Sequence, residues 1–107
     1  MRSHVYTFQK LAYLRRKAAR RQERRCYYCN RVMTSQAQLR CTAEHLIARS
    51  EQGPDSQSNI VAACKFCNSM RHRLFPNLIP PEYAQMVRTL VSTNHWHEHH
   101  SAWKSLA

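Results

Sequence analysis

The sequence predicts an α+β fold: two short strands and a helix at the centre, a basic helix before them and helices after them. Three observations lead there. Residues 41–48 (CTAEHLIA) and 59–63 (NIVAA) read as strands around the turn-rich loop RSEQGPDSQS. Residues 65–74 (KFCNSMRHRL) follow as a helix stopped by Pro76, with Phe66, Met70 and Leu74 as its apolar stripe. Four of the five cysteines stand as two C-x-x-C pairs flanking the strands. The 107 residues suit one domain, 1–107, divided into a basic helix (1–25), a central core (26–75) and a helical segment (76–107).

The first helix is expected over residues 4–25. Val5, Phe8, Leu11, Ala12, Ala18 and Ala19 share one broad arc, interrupted by Arg15. From Arg2 to Arg25 nine basic residues face one acid, Glu23. Arg15, Arg16, Lys17, Arg20, Arg21, Arg24 and Arg25 are therefore candidates for phosphate-backbone contact, beside the plainer reading of a solvated charged face. Residues 26–34 form a short knuckle. Residues 81–91 (PEYAQMVRTLV) form the last clear helix, with Pro81 in its first turn. Tyr83, Met86, Val87, Leu90 and Val91 make its core face. The tail 94–107 carries His95, His97, His99 and His100 without the H-E-x-x-H spacing. It is expected to be non-catalytic, packed by Trp96 and Trp103.

Composition excludes several classes. Gly53 is the only glycine, which argues against Gly-rich phosphate loops and dinucleotide sites. Lysine plus arginine total 17 against 6 acids, a net charge of +11, so a polyanionic partner is expected and nucleic acid leads. No apolar run approaches a spanning length, so no membrane role is expected. The N-terminus lacks an apolar secretory core. Its Arg-rich character is shared with transit segments, but it runs directly into the first cysteine pair. A cytoplasmic setting, nucleoid-associated in a bacterium or phage, is expected.

Cys26, Cys29, Cys64 and Cys67 have the spacing of a closed tetrahedral thiolate site. Such a site suits structural Zn²⁺, with redox dithiols as the alternative, and favours a reducing compartment. Cys41 is left over and is expected to be a buried small hydrophobe. A second set lies beside the thiolates. Asn68 and His72 are i and i+4 on the helix, Glu44-His45 sits on the first strand and Asn59 opens the second. A carboxylate, an amide oxygen and an imidazole suit a divalent cation, Mg²⁺ or Mn²⁺ first and then Zn²⁺ or Ni²⁺. A second histidine nearby could take a proton from water.

In their order, these residues resemble the HNH endonucleases of the ββα-metal (His-Me finger) group, in the branch with two C-x-x-C pairs. The matching stretch is AEHLIARSEQGPDSQSNIVAACKFCNSMRH, and the resemblance covers residues 26–73. It implies a zinc-stabilised ββα-metal core that hydrolyses DNA phosphodiester bonds, double-stranded DNA by preference, leaving 5′-phosphate and 3′-hydroxyl ends. It implies His45 as general base, Glu44, Asn68 and His72 as ligands of the catalytic cation, and Asn59 as the brace of the segment positioning His45. Arg49, Arg71 and Arg73 are further candidates for phosphate contact. The sequence departs from the family at Glu44, where Asp or His is usual, and at Gln52-Gly53, where Gly-Gly is frequent. In a regular strand Glu44 and His45 face opposite sides, so one reacting centre requires the strand to end, twist or bulge there. Two other readings of the same residues stay open: a non-catalytic zinc module that binds nucleic acid, and a protein–protein adaptor built on the knuckles.

Overall fold

The computed structural model describes residues 4–97, with side chains described from residue 10 onward. The main elements run α1 (His4–Arg21), β1 (Cys41–His45), β2 (Ile60–Cys64), α2 (Lys65–Leu74) and α3 (Pro80–Ser92). Single 3₁₀ turns occupy Ala37–Leu39 and Arg49–Glu51. The strands pair antiparallel, from Cys41↔Cys64 to His45↔Ile60. This is the expected α+β arrangement. The tail residues His99, His100 and Trp103 lie outside the described residues.

A two-stranded ribbon is marginal in water, and its free edges invite other strands. Here the outer edge of β2 is taken up. Ile60 O accepts from Arg21 Nη2 at 3.1 Å, and the Gln22 amide bonds both Ala62 N and Ala62 O. Tyr27 N donates to Ala62 O at 2.9 Å, and Cys64 N donates to Cys26 Sγ at 3.3 Å. The end of α1 and the cysteine knuckle therefore act as a third strand would. All five residues of β2 are buried.

α1 stops at Arg21, four residues before the expected end. Glu23 and Arg24 adopt left-handed φ values of 55° and 63°, and Arg24 N bonds back to Ala19 O. Left-handed backbone is costly for residues with a Cβ. The reversal it produces turns Cys26 inward beside β2. Asn30, also left-handed at φ 65°, closes the knuckle by donating its N–H to Cys26 O.

β1 ends at His45, three residues early, because the chain bends at Leu46 and Ile47. β2 begins at Ile60 rather than Asn59, since the Asn59 side chain is used elsewhere. α2 matches its expected bounds. Phe66 and Met70 are fully buried, but Leu74 is half exposed. The helix ends there, and Phe75 packs against the core in its place. In α3, Tyr83, Ala84 and Val87 form the buried face, with Met86 and Leu90 partly covered and Val91 exposed.

The four paired cysteines sit within the core itself, among Tyr28, Met33, Phe66, Met70, Tyr83, Val87 and Trp96. Tyr83 meets Tyr28 edge-on with centroids 4.8 Å apart, and its hydroxyl donates to Cys67 O at 2.7 Å. So small an apolar core needs a staple, and the sulfur cluster occupies the staple's position.

The loop between the strands folds on Gly53. A Cβ at this position would collide with the Ile47 carbonyl, while the Gly53 N–H donates to Ala48 O at 2.8 Å. The preceding Gln52 takes a left-handed φ of 66°, a conformation glycine adopts freely. Gly53→Ala should lower stability by about 1–3 kcal/mol through forced backbone displacement, checked by chemical denaturation. Gln52→Gly should leave the loop intact.

Candidate metal centre and active site

The donor atoms of Cys26, Cys29, Cys64 and Cys67 all lie within 4.8 Å of one another, and all four side chains are buried. Cys29 Sγ and Cys64 Sγ are 3.9 Å apart. Tetrahedral zinc–thiolate bonds of ~2.3 Å place sulfurs about 3.8 Å apart, so the cluster fits that geometry. None of the cysteines is in a disulfide. Cys41, half-buried on β1, is outside the cluster. Burial pushes its thiol above the ordinary value.

The backbone prepares the cluster for negative charge. Cys26 Sγ accepts from the N–H groups of Tyr28, Cys29 and Cys64, and Cys64 Sγ accepts from Cys67 N. Cys64 is also the residue that caps α2. The positive end of that helix dipole thus points at the sulfurs, and Arg71, His72 and Arg73 suit its negative end.

The second set of residues divides over β1. Thr42 and Glu44 turn toward α2. Asn68 Nδ2 donates to Thr42 Oγ1 at 3.0 Å, and the Thr42 hydroxyl donates onward to Ala63 O. This chain fixes the amide orientation and leaves Asn68 Oδ1 buried without a hydrogen-bond partner. Asn68 and His72 line one groove with Thr42, Lys65, Ser69 and Arg73. His72 is exposed, and its Nε2 lies 3.9 Å from Glu44 Oε1.

Glu44 has partners the sequence did not suggest. It is 4% exposed, and its Oε2 accepts from Tyr28 Oη and Arg71 Nε, each at 2.8 Å. Arg71 Nη2 reaches Oε1 at 3.3 Å. Burial first, and then the Glu44 charge, pushes the Tyr28 phenol far above its ordinary value, so it remains a donor. Arg71 is consequently drawn inward as the counter-ion of Glu44, not held out toward a polyanion. Its Nη1 also meets Leu78 O at 3.3 Å.

His45 stands at the end of β1 with a different neighbour. Its Nε2 is 2.8 Å from Asp55 Oδ1, and Arg49 Nη2 holds the other Asp55 oxygen at 3.0 Å. An ionised carboxylate only accepts, so Nε2 carries the proton and Nδ1 presents a lone pair. No hydrogen bond joins His45 to Glu44, Asn68 or His72 among the described residues. The strand does end at His45, and the bend that follows is clasped by Asn59. Asn59 Oδ1 accepts from Ile47 N, while Nδ2 donates to Ile47 O and Pro54 O. One side chain thereby ties the end of β1, the Asp55 loop and the start of β2.

Sequence reasoning missed Asp55, whose only sign was its place in the G-P-D turn. It also missed Lys65, which falls on the helical face of Asn68, Ser69 and His72 by simple periodicity. Of the other candidate cations, Arg16, Arg20, Arg21, Arg24, Arg25, Arg49 and Arg73 are exposed, and Arg15 and Lys17 are half-buried. Arg25 Nη1 contacts Asn30 O, and Lys17 Nζ lies over the Tyr13 ring.

Two outcomes follow from these pairs. Arg71→Met should cost about 3–5 kcal/mol by leaving Glu44 buried and unpaired, and adding Glu44→Gln should recover most of it in denaturation measurements. The His45 hydrogen bond, helped by Arg49, holds the Asp55 carboxyl below its ordinary 3.8. A depressed carboxylate stabilises the native state above the unfolded value, and the gain vanishes as pH falls through the folded value. Asp55→Ala should therefore be less stable than the parent at neutral pH. The gap should close only below about pH 4 in thermal melts.

No curated protein matches the chain. No helix among the described residues is long and apolar enough to cross a membrane. The family model described as HNH endonuclease matches residues 26–74, the stretch that spans both cysteine pairs, both strands and α2. Residues 26–74 are thus similar to the HNH endonuclease family, with four cysteines positioned to bind a metal ion.

Proposed function

We propose that this protein is a divalent-metal-dependent endonuclease that hydrolyses DNA phosphodiester bonds, with structural zinc in the four-cysteine cluster. One observation carries the reading. In a segment similar to HNH endonucleases, His45 is held at a strand end with Nε2 bonded to Asp55, which leaves Nδ1 as its basic nitrogen.

His45 Nδ1 removes a proton from a water aligned with the phosphorus. Asp55 keeps the proton on Nε2, orients the ring and stabilises the imidazolium that forms. Asn59 keeps Asp55 and His45 in register by joining Ile47 to Pro54. Asn68 and His72 would hold the cation, and the orphaned Asn68 Oδ1 is the donor that fits it best. Glu44 would join them only by exchanging part of its Arg71 contact for the ion. The bound cation supplies charge neutralisation at the phosphate and the leaving oxygen. Lys65 and Arg73 flank the groove and would take adjacent phosphates, as would the exposed arginines of α1. Double-stranded DNA is the preferred substrate because a cationic helix suits a continuous phosphate backbone.

The Glu44–Arg71 pair favours a second reading, in which the domain binds nucleic acid without cutting it. A nicking assay on supercoiled plasmid separates the two. The parent should nick DNA, stop in EDTA and recover with Mg²⁺ or Mn²⁺. His45→Ala should lose about 10²–10⁴-fold in rate, with unchanged circular dichroism and DNA affinity. A parent that binds plasmid but never nicks it with any divalent ion supports the second reading.

A further inference from the structure

The four sulfurs are not served alike. Cys26 and Cys64, the first members of their pairs, accept backbone N–H groups. Cys29 and Cys67, the second members, receive side chains from beyond α3. Trp96 Nε1 donates to Cys67 Sγ at 3.4 Å, and His97 hydrogen-bonds Cys29. Both residues are buried, Trp96 at 2% and His97 at 7% exposure. Their rings are seated on Phe66, with centroids 5.7 Å and 5.3 Å away. Trp96 also meets Tyr83 edge-on at 6.2 Å. These contacts hold the N–H groups at the cluster in defined positions.

Charge explains why such donors matter. Four thiolates around a dication leave two net negative charges in a buried site. Each N–H directed at a sulfur disperses that charge and makes the thiolate form less costly. The backbone serves two sulfurs through the knuckle geometry of C-x-x-C. The other two depend on residues outside the family match, which ends at residue 74. Beside Cys29, a cavity of about 150 Å³ is lined by Arg31, Val91, Asn94, Trp96 and His97. The segment after α3 thus lines the cavity beside this sulfur.

We propose that Trp96 and His97 are positioning residues of the sulfur-bound metal centre, donating hydrogen bonds to Cys67 and Cys29 and closing the centre against solvent. The docked segment after α3 is then a condition for holding the ion tightly. This rests on the sulfur cluster alone and stands or falls independently of the nuclease reading.

The test compares the zinc-loaded protein with Trp96→Phe and His97→Phe, which keep aromatic packing and remove the N–H donors. In competition with a chromogenic chelator, each variant should bind zinc about 10-fold more weakly, and the double variant up to about 100-fold. After cobalt substitution, the thiolate-to-metal charge-transfer band should move to lower energy, which lost packing alone would not produce. Val91→Ala lines the same cavity without offering a donor, and its affinity and band should match the parent. Unchanged affinity and an unshifted band in the double variant overturn the proposal. A measurement without these substitutions guards against misfolding. In cadmium-loaded protein carrying Trp103→Phe, NMR should show coupling between the Trp96 indole proton and the metal across the sulfur. A folded, loaded protein lacking that coupling overturns the assignment.

Discussion

Four buried cysteine sulfurs within one small core set the terms for everything around them. Left without a cation, such a cluster places like charges in a poorly solvating interior. The fold answers with directed dipoles, from the knuckle amides and from the N-terminus of α2. The same atoms do architectural work. Cys26 is tied to β2 through Cys64 N, and Cys64 is both the last residue of the sheet and the cap of the next helix. Apolar packing then surrounds the cluster instead of replacing it.

Around this centre, two polar clasps divide the labour on β1. On one side Glu44, Arg71 and Tyr28 form a buried set that joins the strand to α2 and the first knuckle. Beyond the strand end, Asn59 gathers Ile47 and Pro54, and Asp55 gathers His45 and Arg49. Both clasps satisfy groups that would otherwise be stranded between elements. They differ in exposure. The first is nearly closed to solvent, whereas the second is partly exposed and pairs a histidine with a carboxylate. That contrast separates a structural ion pair from a set that can exchange protons.

Much of the fold was legible in the sequence. The bounds of α2 came from Pro76 and the Phe66–Met70 spacing, because helical period is a local property. The metal cluster was legible because C-x-x-C spacing encodes its own geometry. Element ends were harder. α1 stops short because Glu23 and Arg24 accept left-handed backbone to aim Cys26, a tertiary demand that outweighs helix propensity. Leu74 looked buried because periodicity cannot foresee where a helix ends. In the candidate site, Asn59 is a candidate through its order in the chain, and the structure places it as the clasp of Ile47 and Pro54. Asp55 is not one, since a carboxylate in a G-P-D turn has no signature until the loop folds back on His45. Glu44 was harder still. Its neighbour Arg71 lies 27 residues away, and no local pattern announces a long-range ion pair.

The junction at Cys64 and Lys65 has a mechanical meaning. β2 passes into α2 with no intervening residue, and Cys67 and Asn68 are adjacent on that helix. The helix is therefore a stiff handle hinged at the sulfurs, with the unpartnered Asn68 amide oxygen one residue from the pivot and His72 about 6 Å farther along the axis. A change in the radius of an ion held at the pivot would swing the Asn68 and His72 side chains together relative to the strand end.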